Sequence, residues 1–117
     1  MERSKLLATI EKAKQSGQTS LNLSSRQITE LPQQIGQLTN LTSLDLSFNP
    51  LTSLPKSIGQ LTNLTSLDLS DNLLTLLPES IGKLINLKKL NIYGNPLNQI
   101  PPEVVKKGGL AVCDYYR

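Results

Sequence analysis

The amino-acid sequence predicts an α/β solenoid, with short parallel β-strands on its concave side, short helical or 3₁₀ turns on its convex side, and helical caps at both ends. Three observations lead to this prediction. A text of 23 residues recurs along the chain, each copy contains an alternating Leu-x-Leu strand pattern, and each copy continues into a Leu-Pro turn signal. One such unit cannot bury its leucines alone, so the units are expected to stack on one another.

The repeat is clearest in residues 41–63 and 64–86, which read LTSLDLSFNPLTSLPKSIGQLTN and LTSLDLSDNLLTLLPESIGKLIN. The same pattern precedes them in residues 18–40 and resumes at residue 87. The chain is therefore predicted to be a single domain over residues 1–117. Its parts are an N-terminal capping helix at residues 1–17, four repeats at residues 18–101 and a C-terminal cap at residues 102–117.

The first element is predicted to be an amphipathic helix within residues 3–15, and Gly17 follows it as a stop signal. This helix is expected to cover the open edge of the first repeat with its apolar stripe. The stripe consists of Leu6, Leu7, Ile10 and Ala13.

Within each repeat the strand comes first and the turn second. In the strand of the second repeat, Leu44 and Leu46 are expected to point inward, and Ser43, Asp45 and Ser47 outward. A proline then presets φ for a short helical turn, and a glycine is expected to end that turn at a positive φ. The prolines are Pro32, Pro55, Pro78 and Pro101, and the glycines are Gly36, Gly59 and Gly82.

These residues give the running text LxxLDLSxNxLTxLPxxIGxLxNL, and residues 18–101 thereby resemble a leucine-rich repeat of the 23-residue class. The resemblance implies a curved parallel sheet with short helical segments on its convex side. An asparagine recurs at one position of the repeat, where its amide is expected to satisfy backbone groups at the turn. The asparagines are Asn49, Asn72 and Asn95, and the first repeat departs from the pattern with Arg26.

The C-terminal segment is predicted to cover the last open edge. Pro101-Pro102-Glu103 opens a turn, and Gly108-Gly109 replaces the convex turn of the fourth repeat. The run PPEVVKKG and the Tyr-Tyr-Arg that follows it also resemble the end of the repeat region of Roco-type proteins, in which repeats precede a Ras-like GTPase. No G-x-x-x-x-G-K-[ST] phosphate loop occurs in the chain. The apolar residues expected to close the edge are Val104, Val105, Leu110, Val112, Cys113 and Tyr116.

The composition argues against catalysis and against cofactors. The chain has no His and one Cys, so it offers neither an imidazole base nor a thiolate zinc site, and no metal or other cofactor is expected. No apolar run is long enough for a membrane span or a signal peptide. We therefore expect a cytoplasmic protein that does not bind membranes.

The distribution of charge argues against nucleic acid as a partner. The net charge is +3, but residues 30–79 carry five acidic residues and one basic residue, so the basic residues lie towards the two ends. Nucleic-acid binding needs a contiguous basic surface, commonly with aromatic side chains for stacking.

The concave face is therefore the candidate binding site, and its expected partner is a protein. Its centre carries Asp45 and Asp68 on neighbouring strands, where the repulsion between two like charges costs stability. A compensating cation is expected from Lys89 or from the partner. Ca²⁺ is a poorer candidate, because it takes six or more oxygen ligands and these carboxylates are few. Aromatic side chains are the type that dominates binding energy. The candidate residues are Asp45, Phe48, Asp68, Asp71, Lys89, Asn91 and Tyr93.

The sequence thus predicts a non-catalytic protein–protein interaction module or scaffold that acts in signalling. The alternative, from the second resemblance, is a regulatory repeat domain of, or related to, a Roco-type GTPase. Weak self-association is a further possibility because the concave face is small.

Overall fold

The computed structural model describes the whole chain, Met1–Arg117, and confirms the predicted solenoid with helices at both ends. Four three-residue strands form one parallel sheet in chain order, and a 3₁₀ helix follows each of the first three strands. The molecule measures 40 × 26 × 18 Å. In chain order the elements are α1 (Arg3–Gln15), β1 (Ser20–Asn22), a first 3₁₀ helix (Gln33–Gln37), β2 (Ser43–Asp45), a second 3₁₀ helix (Lys56–Gln60), β3 (Ser66–Asp68), a third 3₁₀ helix (Glu79–Lys83), β4 (Lys89–Asn91), α2 (Pro102–Val105) and α3 (Gly109–Tyr115).

The core lies between the sheet and the 3₁₀ helices and consists of stacked columns of leucine and isoleucine. Each strand contributes its central leucine, because side chains alternate between the two faces of a strand. These leucines are in register from strand to strand, and each 3₁₀ helix adds a buried isoleucine. The sheet column is Leu21, Leu44, Leu67 and Leu90, and the helix column is Ile35, Ile58 and Ile81.

The recurring asparagines join neighbouring repeats, as the sequence predicts. The Nδ2 of Asn49 donates to the carbonyl of Leu46 at 2.9 Å and to that of Leu23, one repeat earlier, at 3.0 Å. Its Oδ1 accepts from the N–H of Ile28 at 3.0 Å. The buried amide is thereby satisfied, together with backbone groups that the turn would leave unpaired. Asn72 and Asn95 repeat the pattern.

The first repeat tolerates Arg26 at this position because no earlier repeat is present for an asparagine to bond to. Each asparagine bonds to the repeat before it, and only α1 precedes the first repeat. Arg26 is exposed, and its guanidinium Nη2 donates to the carbonyl of Asn22 at 3.4 Å.

The convex glycines recur in the repeat text for a different reason from the one expected. The prediction of a positive φ is wrong for all three, Gly36, Gly59 and Gly82, because none of them has a positive φ. They lie within the 3₁₀ helices, where a Cβ at residue 59 would come within 2.6 Å of the carbonyl oxygen of Ser80. Glycine is needed here because successive 3₁₀ helices pack backbone to backbone.

The two ends are closed by helices, with two departures from the expected packing. In α1, Leu6, Ile10 and Ala13 are buried, but Leu7 is only partly so. In α3 the core contacts are made by Val112 and Cys113. The expectation for Leu110 is wrong: it is exposed, because the helix that begins at Gly109 turns the neighbouring side chain away from the core. Val104, Val105 and Tyr116 are partly buried against the core.

None of the helices combines the length and the apolar character that a membrane crossing requires.

Candidate functional site

The outer face of the sheet consists of short rows of side chains in register across the four strands. The first row is polar and ends in a cation, and the second row is acidic at its centre. The first row is Ser20, Ser43, Ser66 and Lys89, and the second is Asn22, Asp45, Asp68 and Asn91.

One carboxylate oxygen of each central aspartate is used within the fold. Asp45 Oδ1 accepts from the N–H of Ser47 at 2.9 Å and from its hydroxyl at 2.6 Å, and Asp68 does the same with Ser70 at 2.9 and 2.7 Å. These bonds hold each serine hydroxyl against the carboxylate two residues before it. Ser47 is thus only 5% exposed although its hydroxyl lies on the same face as the Asp45 carboxylate, and Ser70 is 6% exposed in the same way. The second oxygen of each half-buried carboxylate accepts no hydrogen bond within the chain.

The negative charge at the centre of the face has no cation within the chain. Lys89 lies in register with Ser66, in the row beside the aspartates, and it forms no ion pair. The only ion pair joins Arg117 to Asp114 in the C-terminal cap. The structure therefore does not contain the ion pair between Lys89 and the aspartates that the sequence allows.

The residues just beyond the strands adopt a left-handed backbone, which the sequence analysis missed. Ser25, Phe48 and Asp71 have φ of 54°, 57° and 56°, and Gly94 occupies the same position of the last repeat with φ of 79°. The glycine in this row is the signal that could have revealed the conformation.

Phe48 and Tyr93 are the large exposed side chains of this face. Phe48 is 62% exposed and Tyr93 is 79% exposed, and they lie just beyond the ends of β2 and β4, two strands that are about 10 Å apart. Asn91 Oδ1 accepts from the N–H of Tyr93 at 3.1 Å, so Asn91 fixes the backbone that presents the tyrosine.

A groove beside β4 is a second feature that the sequence analysis missed. It has a volume of about 480 Å³ and lies between the outer edge of β4 and the turn that joins α2 to α3. Leu90, Ile92, Leu97, Val105 and Gly108 are among its lining residues.

The titratable side chains form no cluster of metal-ligating groups, and the one cysteine is buried. Cys113 is buried in the C-terminal cap, where its thiol donates to the carbonyl of Ile81 at 3.2 Å. Burial raises the pKa of the Cys113 thiol, and the charge of Arg117 opposes this only in part. No three Cys, Asp or Glu side chains lie close enough together to hold a metal ion.

Comparison with protein families identifies the repeat. A family profile described as a leucine-rich repeat region matches residues 19–96, and a second, described as a leucine rich repeat, matches residues 86–107. No curated protein matches the chain.

Two solved structures share both the fold and part of the sequence. The leucine-rich repeat domain of the type III effector XopL is 33% identical, with a TM-score of 0.70, over 80% of this chain and 32% of that one. A structure described as a TDR receptor is 38% identical, with a TM-score of 0.67, over 76% of this chain and 16% of that one. The chain spans only a minor part of either protein's length.

Proposed function

The chain belongs to the leucine-rich repeat family, and we propose that it is a non-catalytic interaction module that binds a protein partner through the concave face of its sheet. Domains of this family commonly bind proteins. One of the similar structures is a domain of an effector and the other is described as a receptor, and both names fit a recognition role. The proposal extends to a cytoplasmic signalling scaffold that binds neither nucleic acid nor membrane.

The observation that carries the proposal is the conformation of Phe48. A bulky residue in the left-handed region costs about 1–3 kcal/mol, and Phe48 is 62% exposed with φ of 57°. Glycine stands at the same position of the last repeat, so the fold does not require an aromatic side chain there. A strained, exposed aromatic side chain that does not contribute to the core is best explained as a binding residue.

The charge of the face indicates the chemistry of the partner. Asp45, Asp68 and Asp71 form an acidic centre, and no cation of the chain is paired with it. Arg or Lys side chains of a partner would relieve the repulsion between the two carboxylates that lie in register. Phe48 and Tyr93 flank this centre as apolar anchors, and Lys89 adds one positive charge at the edge. The proposed partner therefore presents basic residues between apolar ones.

The size of the face limits the affinity. Four strands span about 14 Å at ~4.8 Å per spacing, and each exposed strand is about 10–13 Å long, so the flat area is about 200 Å² and about twice that with side-chain relief. Stable complexes bury about 800 Å² per partner. We therefore expect a dissociation constant in the micromolar range or weaker for the chain alone, unless loops, caps or self-association enlarge the surface.

The test uses the partner recovered by an unbiased pull-down from the source cell. Phe48→Gly removes the anchor and the backbone strain together, so the affinity should fall about tenfold or more while the free energy of unfolding stays constant or rises by up to about 1 kcal/mol. Tyr93→Ala and Asp68→Ala should also weaken binding, as measured by titration calorimetry.

Lys56→Ala and Glu79→Ala are the matched controls, because both side chains are exposed on the second and third 3₁₀ helices. If these changes weaken binding and Phe48→Gly does not, the partner binds the convex side and the proposed site is wrong.

The second candidate function is regulation of a Roco-type GTPase. It rests on residues 101–117, where the PPEVVKKG run forms α2 and the turn that leads to α3. Sequencing of the gene in frame beyond Arg117 tests it. A G-x-x-x-x-G-K-[ST] phosphate loop downstream would support it, and a stop codon would exclude it.

A further inference from the structure

One row of hydrogen bonds between strands stops at the last repeat. The N–H groups of Leu23, Leu46 and Leu69 donate to the carbonyls of the next strand at 2.8, 2.9 and 2.8 Å. Ile92 occupies the same position in the last repeat, and its N–H donates to no group of the chain. Its direction follows from the register, because residues that alternate along a parallel strand face opposite neighbours.

The row just beyond the strands ends in the same way. Phe48 donates its N–H to the carbonyl of Ser70 at 3.0 Å, and Asp71 donates to that of Tyr93 at 2.8 Å. Gly94 is the next member of this row, and its N–H has no partner. Two donors of β4 and its extension are thus left aimed at the side where a fifth strand would lie.

The C-terminal cap covers only part of this edge. Gly109 packs so closely on the carbonyl oxygen of Leu90 that a Cβ there would collide with it. The cap therefore closes the edge at Leu90, and the groove of about 480 Å³ extends along the remainder, past Ile92 and Gly94. Unpaired strand edges are sites at which proteins add an extended peptide.

We propose that this groove, between β4 and the α2–α3 turn, binds an extended acidic peptide from a partner protein as a fifth strand. The peptide begins beyond the point where Gly109 covers Leu90, and it carries a large apolar residue beside Ile92. Its acidic residue lies beside Asn91, which is two residues from Lys89 on the same face, so the long side chain of Lys89 reaches it. This site is distinct from the concave face of the proposed function, although Lys89 and Tyr93 lie where the two surfaces meet.

The apolar part of the motif follows from the core. The leucines on the two inner strands and directly after them are at most 1% exposed, because a neighbouring repeat covers each side; they are Leu44, Leu46, Leu67 and Leu69. Along the groove Leu90 is 6%, Ile92 is 8% and Leu97 is 9% exposed. Gly109 of the cap already covers Leu90, and a large apolar side chain of the peptide beside Ile92 would complete the cover of Ile92 and Leu97.

The acidic part follows from charge. Lys89 is the only charged residue that lines the groove, and Lys106 and Lys107 are exposed on the turn beside it. Residues 80–117 carry six basic and two acidic residues, so this end of the molecule repels a second copy of itself and attracts an acidic segment. The carboxylate of Asp71 lies against Gly94, so the peptide residue at that end is neutral.

The experiment uses the full chain labelled with ¹⁵N and a blocked synthetic peptide, Asp-Leu-Ser-Phe-Asn, which has the text of residues 45–49. In this register its Asp lies beside Asn91, within reach of Lys89, and its Leu lies beside Ile92. The amide signals of Ile92 and Gly94 should shift, and their hydrogen exchange should slow about fivefold or more as each gains an acceptor. The amides of Phe48 and Asp71 already donate hydrogen bonds within the chain, so their hydrogen-exchange rates should not change.

A charge exchange gives the control. The peptide with Lys in place of Asp should bind the wild-type chain about fivefold more weakly, and Lys89→Glu should reverse this preference. Lys56→Glu, on the convex side, should leave the preference unchanged. Val105→Glu should block the groove and abolish peptide binding. Because Val105 is partly buried, unchanged amide signals of Phe48 and Asp71 are used to check that this variant is folded.

Three results would overturn the proposal. Shifts confined to the neighbourhood of Phe48 and Asp71 would place the peptide across the concave face. Shifts of Ile92 and Gly94 that follow protein concentration without peptide would mean that a second copy occupies the edge. Absence of any shift at millimolar peptide would mean that the cap closes the whole edge of β4.

Discussion

Leu67→Ala is expected to lower the free energy of unfolding by about 2–5 kcal/mol, the range for removal of a large buried side chain. Leu67 is 1% exposed at the centre of the sheet, in register with Leu44 on one side and Leu90 on the other. Neighbouring strands hold the backbone on both sides, so the cavity cannot collapse by movement of the chain. A small domain has a total stability of about 5–15 kcal/mol, and the loss is a large part of it.

Urea unfolding followed by circular dichroism measures this loss. Leu73→Ala is the matched control, because Leu73 is 51% exposed, and it should change the stability by less than about 1 kcal/mol. A loss below about 1 kcal/mol for Leu67→Ala itself would contradict its place in the core.

Removal of residues 1–17 is expected to cause aggregation or to abolish cooperative unfolding. Leu6, Ile10 and Ala13 of α1 are buried, and their removal would expose the apolar end of the first repeat at Leu21, Leu23 and Ile28. A solenoid without a polar cap exposes its core directly to solvent. With only four repeats, the molecule has few other contacts to compensate for the loss.

The cap prediction has a milder form that keeps the chain at full length. Ile10→Asp should lower the melting temperature strongly, because it places a charge in the core, whereas Glu11→Ala on the exposed side of α1 should not. A soluble truncated protein with an unchanged melting temperature would refute the capping role of α1.

The periodic part of the sequence predicts the fold well, because the repeat and the side-chain alternation both follow from burial of leucine. The strands, the 3₁₀ turns after Pro32, Pro55 and Pro78, and the asparagine contacts all lie where the repeat text places them. The wrong prediction of a positive φ at Gly59 has another origin. A glycine can serve a positive φ or a close backbone contact, and only the packing of neighbouring repeats distinguishes the two.

The candidate face was less predictable, because its details depend on hydrogen bonds between nearby polar groups. Alternation predicts that Ser47 faces outward, but it does not reveal that Ser47 is buried there against the carboxylate of Asp45. The left-handed backbone of Phe48 has no signal in its own repeat and only Gly94 indicates it. The groove beside β4 lies where the period is lost, so no repeat pattern could have revealed it.

Hydroxyl-radical footprinting of the complex with the recovered partner tests the central claim most directly, because it locates the interface without mutation. Phe48 and Tyr93 are exposed on the concave side, and Tyr115, which is 49% exposed on the C-terminal cap, is the internal reference. Binding through the concave face predicts that oxidation of Phe48 and Tyr93 falls on complex formation while that of Tyr115 does not change. Protection of Tyr115 with Phe48 and Tyr93 still fully reactive would contradict it.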